Sequence, residues 1–262
     1  MDLIAITPEF QIGLILMELD EPIHITFSTY DLDMTLFVME FYSPDIEYDI
    51  WYWILIKPMN EIPFNVHLHQ LNNNHCKFWY IETKRYTRLV ITSCNLTNQM
   101  IHECFQSYCS ITRERSEKYK LGREPVNKFF SIFGVELDYN IFQAVKDKIV
   151  FNIPNEFNGI ELWYKKQHDI IIDCNNLNLN YLKEIKKTFI IRQPIPPTVS
   201  NIVCYYSMNY KSDKVTTVEL PFIKLFHYKL YYTDKCVLLS SNNFSFNHKN
   251  NFELGILIDE KR

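Results

Sequence analysis

Short apolar runs and strict alternation of apolar and polar residues recur along this chain, and both patterns are typical of β-strands. Val66–Gln70 alternates, while Phe78–Ile81 and Arg88–Thr92 are runs of β-branched and aromatic residues bounded by polar ones. Further strands are predicted at Lys148–Asn152, Gly159–Trp163, Ile170–Asp173, Ile202–Met208, Ile223–Tyr232, Val237–Ser240 and Phe252–Asp259. The pattern therefore predicts a protein rich in β-structure in both halves.

Helical patterns are fewer and lie in the second half. Pro125 suits the first turn of a helix that continues to about Phe130, and Leu179–Lys187 has helical character. Because strands and helices are mixed, the predicted fold class is α/β. The charged stretch 113–124 is the best boundary. It divides the chain into a first unit over residues 1–112, a linker over 113–124 and a second unit over 125–262.

Two segments in different halves carry nearly the same sequence. His75-Cys76-Lys77 is followed by Thr92–Thr97, and His227-Tyr228-Lys229 is followed by Ser240–Ser245. Each reads His-x-Lys, then an apolar run, then (Ser/Thr)-Ser-x-Asn-(Leu/Phe)-(Ser/Thr). Because repeated units tend to pack as related halves, the repeat predicts an internal duplication.

The residue types shared by the two segments suit the cleavage of a phosphodiester. Histidine, with an unperturbed pKa of about 6.5, can attack phosphorus or donate a proton to the leaving oxygen. Lysine and asparagine supply oriented donors where negative charge accumulates in the transition state. We therefore expect one site built from both halves, with six candidate residues: His75, Lys77, Asn95, His227, Lys229 and Asn243.

The predicted strands place three of these residues together. A turn signal at Leu71–Asn74 directly precedes His75, so His75 and Lys77 begin a strand and, being two apart, point to the same face. Asn95 ends the next strand. Antiparallel pairing would bring all three to one sheet edge.

Composition narrows the function classes. The 262 residues include only 5 Gly, and the chain has no Gly-rich phosphate-binding loop. The formal net charge of −4 means that any nucleic-acid contact must use local basic patches. The 7 Cys show no pairing pattern and indicate reduced thiols. With no signal peptide and no apolar segment long enough to cross a bilayer, we expect an intracellular protein without membrane contact.

The paired motifs resemble the phospholipase D superfamily. Within it the chain is most similar to the tyrosyl-DNA phosphodiesterase family, in a compact form such as a virus or plasmid encodes. The likeness extends to Gln106 after the first motif, to residues 252–257 after the second, and more weakly to 25–37. It implies a pseudo-symmetric pair of mixed β-sheets flanked by helices, with the active site between the halves. Members of this family release topoisomerase tyrosyl remnants from DNA 3′ ends.

The resemblance also implies roles. His75 would be the nucleophile that forms a phosphohistidine, and His227 the general acid and base; the residues alone leave open which histidine attacks. The other implied roles are phosphate binding by Lys77, Lys229, Asn95 and Asn243, and orientation of the imidazoles by Gln106 and Glu253. No metal or other cofactor is implied. The expected partner is a single-stranded DNA or RNA end, with a covalently attached protein or peptide adduct, processed by a monomer.

Two other functions stay open at this point. A nuclease of the same superfamily would cut ordinary phosphodiesters, and a non-catalytic protein would bind nucleic acid without turnover. The halves also differ: Asp234 lies five residues after the second lysine, where the first motif has Glu82.

Three further features have two interpretations each. Arg85, Arg88, Arg113 and Arg115, with neighbouring lysines, could track phosphates or form a solvated face. His67 and His69 could bind a metal with His75 or Cys76, although a surface or packing role is favoured. The run Trp51-Tyr52-Trp53 is expected in the core rather than as a platform for bases.

Overall fold

Two β-sheets and the helices around them carry the residues of interest. The structure is a computed structural model that describes residues 2–7, 21–104, 106–119, 124–167, 170–174, 189–194, 215–220, 227–243 and 249–259. The strands of the first sheet are β1 (Asp2–Thr7), β2 (Pro22–Asp33), β3 (Glu47–Lys57), β4 (Val66–Gln70), β5 (Phe78–Thr83), β6 (Tyr86–Thr92) and β7 (Gln106–Glu114). Those of the second are β8 (Ile149–Ile153), β9 (Phe157–Asn158), β10 (Ile170–Cys174), β11 (Phe189–Pro194), β12 (Val215–Leu220), β13 (Lys229–Tyr232), β14 (Cys236–Ser240) and β15 (Glu253–Asp259).

Five helices are described alongside the sheets. They are α1 (Met34–Glu40), α2 (Asn98–His102), α3 (Pro125–Ser131), α4 (Tyr139–Val145) and α5 (Gly159–Lys165). Of the helices in the described part of the chain, none is long and apolar enough to cross a membrane.

The two sheets repeat one topology. The first has the order β4-β3-β2-β5-β6-β7-β1, and the second the order β12-β11-β10-β13-β14-β15-β8, with β9 added at its edge. In both, the first three strands are parallel and every later pairing is antiparallel. Thus β5, β6 and β7 correspond to β13, β14 and β15. The predicted α/β class, with a pseudo-symmetric pair of mixed sheets, is confirmed.

Strand β5 lies in the middle of the first sheet and is buried along its whole length. Its side chains alternate between two cores, because successive residues of a strand face opposite sides. Phe78 and Tyr80 join a cluster that contains Leu239 and Leu254 of the second sheet and aromatic residues of α3. Trp79 and Ile81 join the other cluster, against α1. The first cluster therefore contains residues of both sheets, and it lies next to the start of β5.

The predicted strand at Gly159–Trp163 is wrong, because these residues form helix α5. Asn158 caps the helix by accepting a hydrogen bond from the Glu161 amide at 3.2 Å. Ile160 and Tyr164, four residues apart, are both buried, so tertiary packing selects the helix. A Cβ on Gly159 would lie 2.6 Å from the Phe151 carbonyl oxygen, so this tight start requires glycine.

The remaining elements can be compared with their predictions in three groups. The helix that begins at Pro125 is confirmed, and a strand follows each His-x-Lys motif. Strand β5 begins at Phe78 and not at His75, so the first motif precedes its strand. Of the strand predicted over Ile223–Tyr232, only Lys229–Tyr232 is a strand in the described residues, and 223–226 lie outside them. Strand β7 runs to Glu114, two residues into the segment assigned to the linker. The helix predicted at 179–187 and the strand predicted at 202–208 lie outside the described residues.

Candidate active site

The two His-x-Lys segments occupy equivalent places in the two sheets. His75 and Lys77 directly precede β5, and Lys229 is the first residue of β13. The backbone amide of His75 donates to the Phe252 carbonyl at 3.0 Å, and the Phe252 amide donates to the Asn73 carbonyl at 2.8 Å. The first motif is thereby held against the residue that precedes β15.

The Ser-x-Asn segments repeat a hydrogen-bond pattern as well as a sequence. The Ser93 hydroxyl donates to Gln106 Oε1 at 2.9 Å, and the Ser241 hydroxyl donates to Glu253 Oε2 at 2.5 Å. Each serine oxygen also accepts the backbone amide of the following residue in that strand, from Ser107 and Leu254 respectively, at 3.0 Å. Each segment thus fixes the first side chain of β7 or β15.

Gln106 and Glu253 each contact the histidine of the opposite half. His75 Nδ1 lies 3.0 Å from Glu253 Oε2. His227 Nδ1 lies 2.9 Å from the Ser93 carbonyl oxygen and 3.4 Å from Gln106 Oε1. Because all three partners are acceptors, Nδ1 carries the proton in both rings, and each Nε2 keeps its lone pair. The halves therefore orient each other's imidazole.

Both lysines are fully buried beside the imidazoles. Lys77 Nζ donates to the His75 carbonyl at 2.8 Å, and Lys229 Nζ donates to the His227 carbonyl at 2.7 Å. Lys229 Nζ also lies 3.0 Å from His227 Nε2, where the ammonium is the donor. One buried lysine thus lies at His227 Nε2 and the other is bonded to the His75 backbone, an arrangement suited to an anion.

The electrostatics of the two histidines differ. Burial lowers the pKa of His75, and the Glu253 charge partly offsets this. Burial lowers the pKa of His227 further, and the charges of Lys229, Lys77 and His75 add to the effect. Burial alone would raise the pKa of Glu253, but His75, Lys77 and the Ser241 hydroxyl outweigh it, so Glu253 is ionised. Only His75 therefore has a negative partner.

Asn95 brings an acid that the sequence did not single out. Its Nδ2 donates to Asp31 Oδ2 at 3.2 Å, while its Oδ1 is buried with no hydrogen-bond partner among the described residues. Burial raises the pKa of Asp31, and Lys77 partly offsets this. Asp31 lies within the stretch 25–37, so the weak likeness there was the available signal.

The second asparagine segment differs in detail. Asn243 is half-buried, while Asn242 before it is fully buried. The Asn242 side chain accepts from the Ser240 hydroxyl and donates to the Asn243 carbonyl at 3.3 Å. Asn242 therefore supports the turn that carries Asn243, a role that the sequence did not reveal.

The basic residues considered for phosphate tracking lie elsewhere. Arg85 is in the β5–β6 turn, at the opposite end of β5 from Lys77, and Arg113 near the end of β7 pairs with that hairpin. Arg88 is buried and its Nε donates to Thr112 Oγ1 at 2.7 Å. Arg115 donates to the Thr83 carbonyl at 3.0 Å. The structure does not bring these four arginines to the histidines.

The histidines of β4 pair with carboxylates of β3 and not with the motif. His67 Nε2 lies 2.5 Å from Glu47 Oε1, and His69 Nε2 lies 2.7 Å from Asp49 Oδ1. Neither joins His75, and the described residues contain no group of three or more His, Cys, Asp or Glu that could hold a metal ion.

Comparison with known proteins gives a fold-level match. No protein-family model and no curated protein matches the chain. A structure of yeast tyrosyl-DNA phosphodiesterase matches with a TM-score of 0.68 at 10% identity, covering 92% of this chain and 83% of that one. A substituted form of the yeast enzyme matches with a TM-score of 0.70 at 10% identity, covering 98% and 88%.

A third match comes from a different enzyme. Polyphosphate kinase from Porphyromonas gingivalis matches with a TM-score of 0.61 at 12% identity, covering 98% of this chain and 44% of that one. Such identities establish the fold alone. The chain has the phospholipase D-like fold that its resemblance to the tyrosyl-DNA phosphodiesterases predicted.

Proposed function

We propose that this chain is a phosphodiesterase that acts on nucleic-acid ends through a covalent phosphohistidine, without a catalytic metal. The observation that carries the proposal is the crossed pair of imidazoles, each held at Nδ1 by the opposite half, beside two buried lysines. The lysines supply the positive charge that stabilises the phosphoryl oxygens as the bond breaks.

In the first step, the His75 Nε2 lone pair attacks phosphorus and the bond to the leaving oxygen breaks, with its electron pair remaining on that oxygen. His227 donates a proton to the oxygen. In the second step, water gives a proton to His227 and its oxygen attacks phosphorus. The phosphorus–nitrogen bond then breaks and His75 regains its lone pair.

The unequal partners of the two rings support this assignment. Phosphorylation leaves His75 positively charged, and the ionised Glu253 next to it offsets that charge. His227 has only neutral partners at Nδ1, the Ser93 carbonyl and Gln106, and the Lys229 ammonium lies at its Nε2, so its protonated form is a stronger acid. A bound phosphate adds negative charge beside His227 and raises its pKa, so that the ring becomes protonated when substrate is present.

The proposed substrate is a 3′-phosphotyrosyl end or a related 3′ adduct. A phenol with a pKa of about 10 leaves more readily than a sugar alkoxide, so it makes less demand on a buried, easily deprotonated acid. The solved structures with the same fold include a tyrosyl-DNA phosphodiesterase, which agrees with this choice.

A substrate panel in EDTA tests the proposal. We expect release of tyrosine from a single-stranded oligonucleotide with a 3′-phosphotyrosyl end, at a rate unchanged by the chelator. An unmodified oligonucleotide of the same sequence is the matched control. Internal cleavage of that control would identify a nuclease instead, and binding without release from either strand would identify a non-catalytic nucleic-acid-binding protein.

Lys77 predicts a limit at alkaline pH. Burial lowers the pKa of Lys77 from 10.5 to about 8, although Glu253 partly offsets the effect. Lys77 is charged below that pH and neutral above it, so kcat/KM, which reports the free enzyme, should fall as pH rises through about 8. Lys77→Arg keeps its charge at higher pH and should move this limb upward. An unmoved limb in Lys77→Arg would assign it to another group.

A further inference from the structure

Tyr30 and Trp53 form an aromatic wall beside His75. Tyr30 belongs to β2 and Trp53 to β3, and Trp53 lies between the partners of Thr29 and Asp31 in the parallel register. The ring centroids of Tyr30 and Trp53 are 5.1 Å apart with the planes at 90°. Tyr30 also meets the His75 ring edge to face, with centroids 5.1 Å apart.

The wall is distinct from the hydrophobic cores. Trp51 stacks on His69 at 4.5 Å and packs against one core, and Tyr52 packs against the other. The expectation that the run at 51–53 belongs to the core is met by these two residues. Tyr30 and Trp53 are half-buried and belong to neither cluster, so their rings retain accessible surface.

The positive charge of Lys77 lies close to the Tyr30 ring. Lys77 Nζ is 5.8 Å from the centroid of the Tyr30 ring, and Lys77 is fully buried. A phosphate bound between the lysines would therefore lie close to an aromatic surface. That combination, a cationic phosphate site with adjoining aromatic rings, suits a nucleotide, whose base has a flat face for stacking.

The aromatic wall lies on the side of the nucleophile, and this position determines which part of the substrate can contact it. Attack on phosphorus is roughly in line, so the leaving group departs on the side opposite the nucleophile. Tyr30 contacts His75, which the proposed mechanism makes the nucleophile. The part of the substrate that contacts the wall is therefore not the leaving group. It remains attached to the phosphate, so it is the 3′-terminal nucleotide.

We propose that Tyr30 and Trp53 form a stacking subsite for the base of the 3′-terminal nucleotide. The assignment of the wall to the nucleotide, and not to the leaving group, rests on the proposed function. Base stacking itself can be measured without turnover. The wall would explain recognition of a nucleic-acid end by a chain whose net charge is −4. The subsite would also be sequence-tolerant, since every base offers a π face.

Binding is the first measurement. Two single-stranded oligonucleotides with 3′-phosphate ends are compared, one with a base on the terminal nucleotide and one abasic there. We expect wild type to bind the abasic end about tenfold more weakly. Trp53→Ala should bind both ends equally and weakly, whereas Trp53→Phe should keep most of the difference. Phe64→Ala removes a ring that is 85% exposed in the β3–β4 loop and serves as the matched control.

The outcomes separate this proposal from the proposed function. Equal binding of the two ends by wild type, or a tenfold difference that survives in Trp53→Ala, would overturn the subsite even if tyrosyl release is observed. A difference that is lost in Trp53→Ala supports the subsite even if no substrate is turned over, in which case the phosphodiesterase proposal fails alone.

Kinetics test whether the wall contacts the terminal base or the leaving group. Substrates with a 3′-phosphotyrosyl or a 3′-phosphoalkyl group are each made with and without the terminal base. Trp53→Ala should raise KM about tenfold only when the base is present, with kcat little changed and with either leaving group. A KM effect that follows the tyrosyl ring instead of the base would overturn the assignment.

Discussion

His227→Asn is expected to leave the nucleic acid covalently attached to the protein. Asparagine is similar in size but cannot deliver a proton or activate water. Departure of a phenolate tolerates the loss of the acid, while hydrolysis of the phosphohistidine needs the base, so the intermediate should accumulate. Turnover should fall roughly 10²–10⁴-fold. The adduct is measured as a mass shift on a denaturing gel with a labelled 3′-phosphotyrosyl strand.

His75→Ala should give no adduct and a larger loss of activity, because it removes the nucleophile. His67→Asn is the matched control: His67 is an exposed histidine paired with Glu47 on the first sheet, so this variant should release tyrosine like wild type. An adduct that persists in His75→Ala would reverse the roles of the two histidines. Full activity of His75→Ala without any adduct would exclude the covalent mechanism.

The sequence pointed to the candidate site because its motif occurs twice. Two His-x-Lys segments with the same downstream signature predict equivalent strands, and β5 and β13 are equivalent in the structure. The crossing of the partners was not predictable from the motifs. Glu253 meets His75, far from it in sequence, because the two sheets share a core that brings β15 next to the start of β5. The Ser93 carbonyl, which binds His227, belongs to the backbone and leaves no compositional signal.

Features that depend on burial were the hardest to predict. A cluster of arginines in sequence suggested a basic surface, yet Arg88 lies inside the sheet and bonds to Thr112. Gly159–Trp163 has strand-like residues, but its cap and its buried face make it a helix. Trp51 and Trp53 share one face of β3, and only Trp51 packs against a hydrophobic core. In each case, tertiary contacts outweigh local propensity.

Glu253→Gln is expected to lower kcat about 10²-fold while the fold is retained. A glutamine at this position can accept a hydrogen bond from His75 Nδ1, as Gln106 does from His227 Nδ1. The imidazole therefore keeps its orientation. What is lost is the negative charge that offsets the positive charge of the phosphohistidine. Because Glu253 raises the pKa of His75, its removal should also move the acid limb of kcat/KM to lower pH. A full pH–rate profile and a thermal melt measure both effects.

Gln106→Glu is the matched reciprocal change, since Gln106 and Glu253 begin equivalent strands. A carboxylate beside His227 raises the pKa of that ring, so its protonated form becomes a weaker acid. The loss should therefore be larger for an alkyl leaving group than for tyrosine, whereas Glu253→Gln should slow both substrates alike. If Glu253→Gln keeps the wild-type kcat and acid limb, the carboxylate does not distinguish the two histidines. The assignment of His75 as the nucleophile would then lose its electrostatic support.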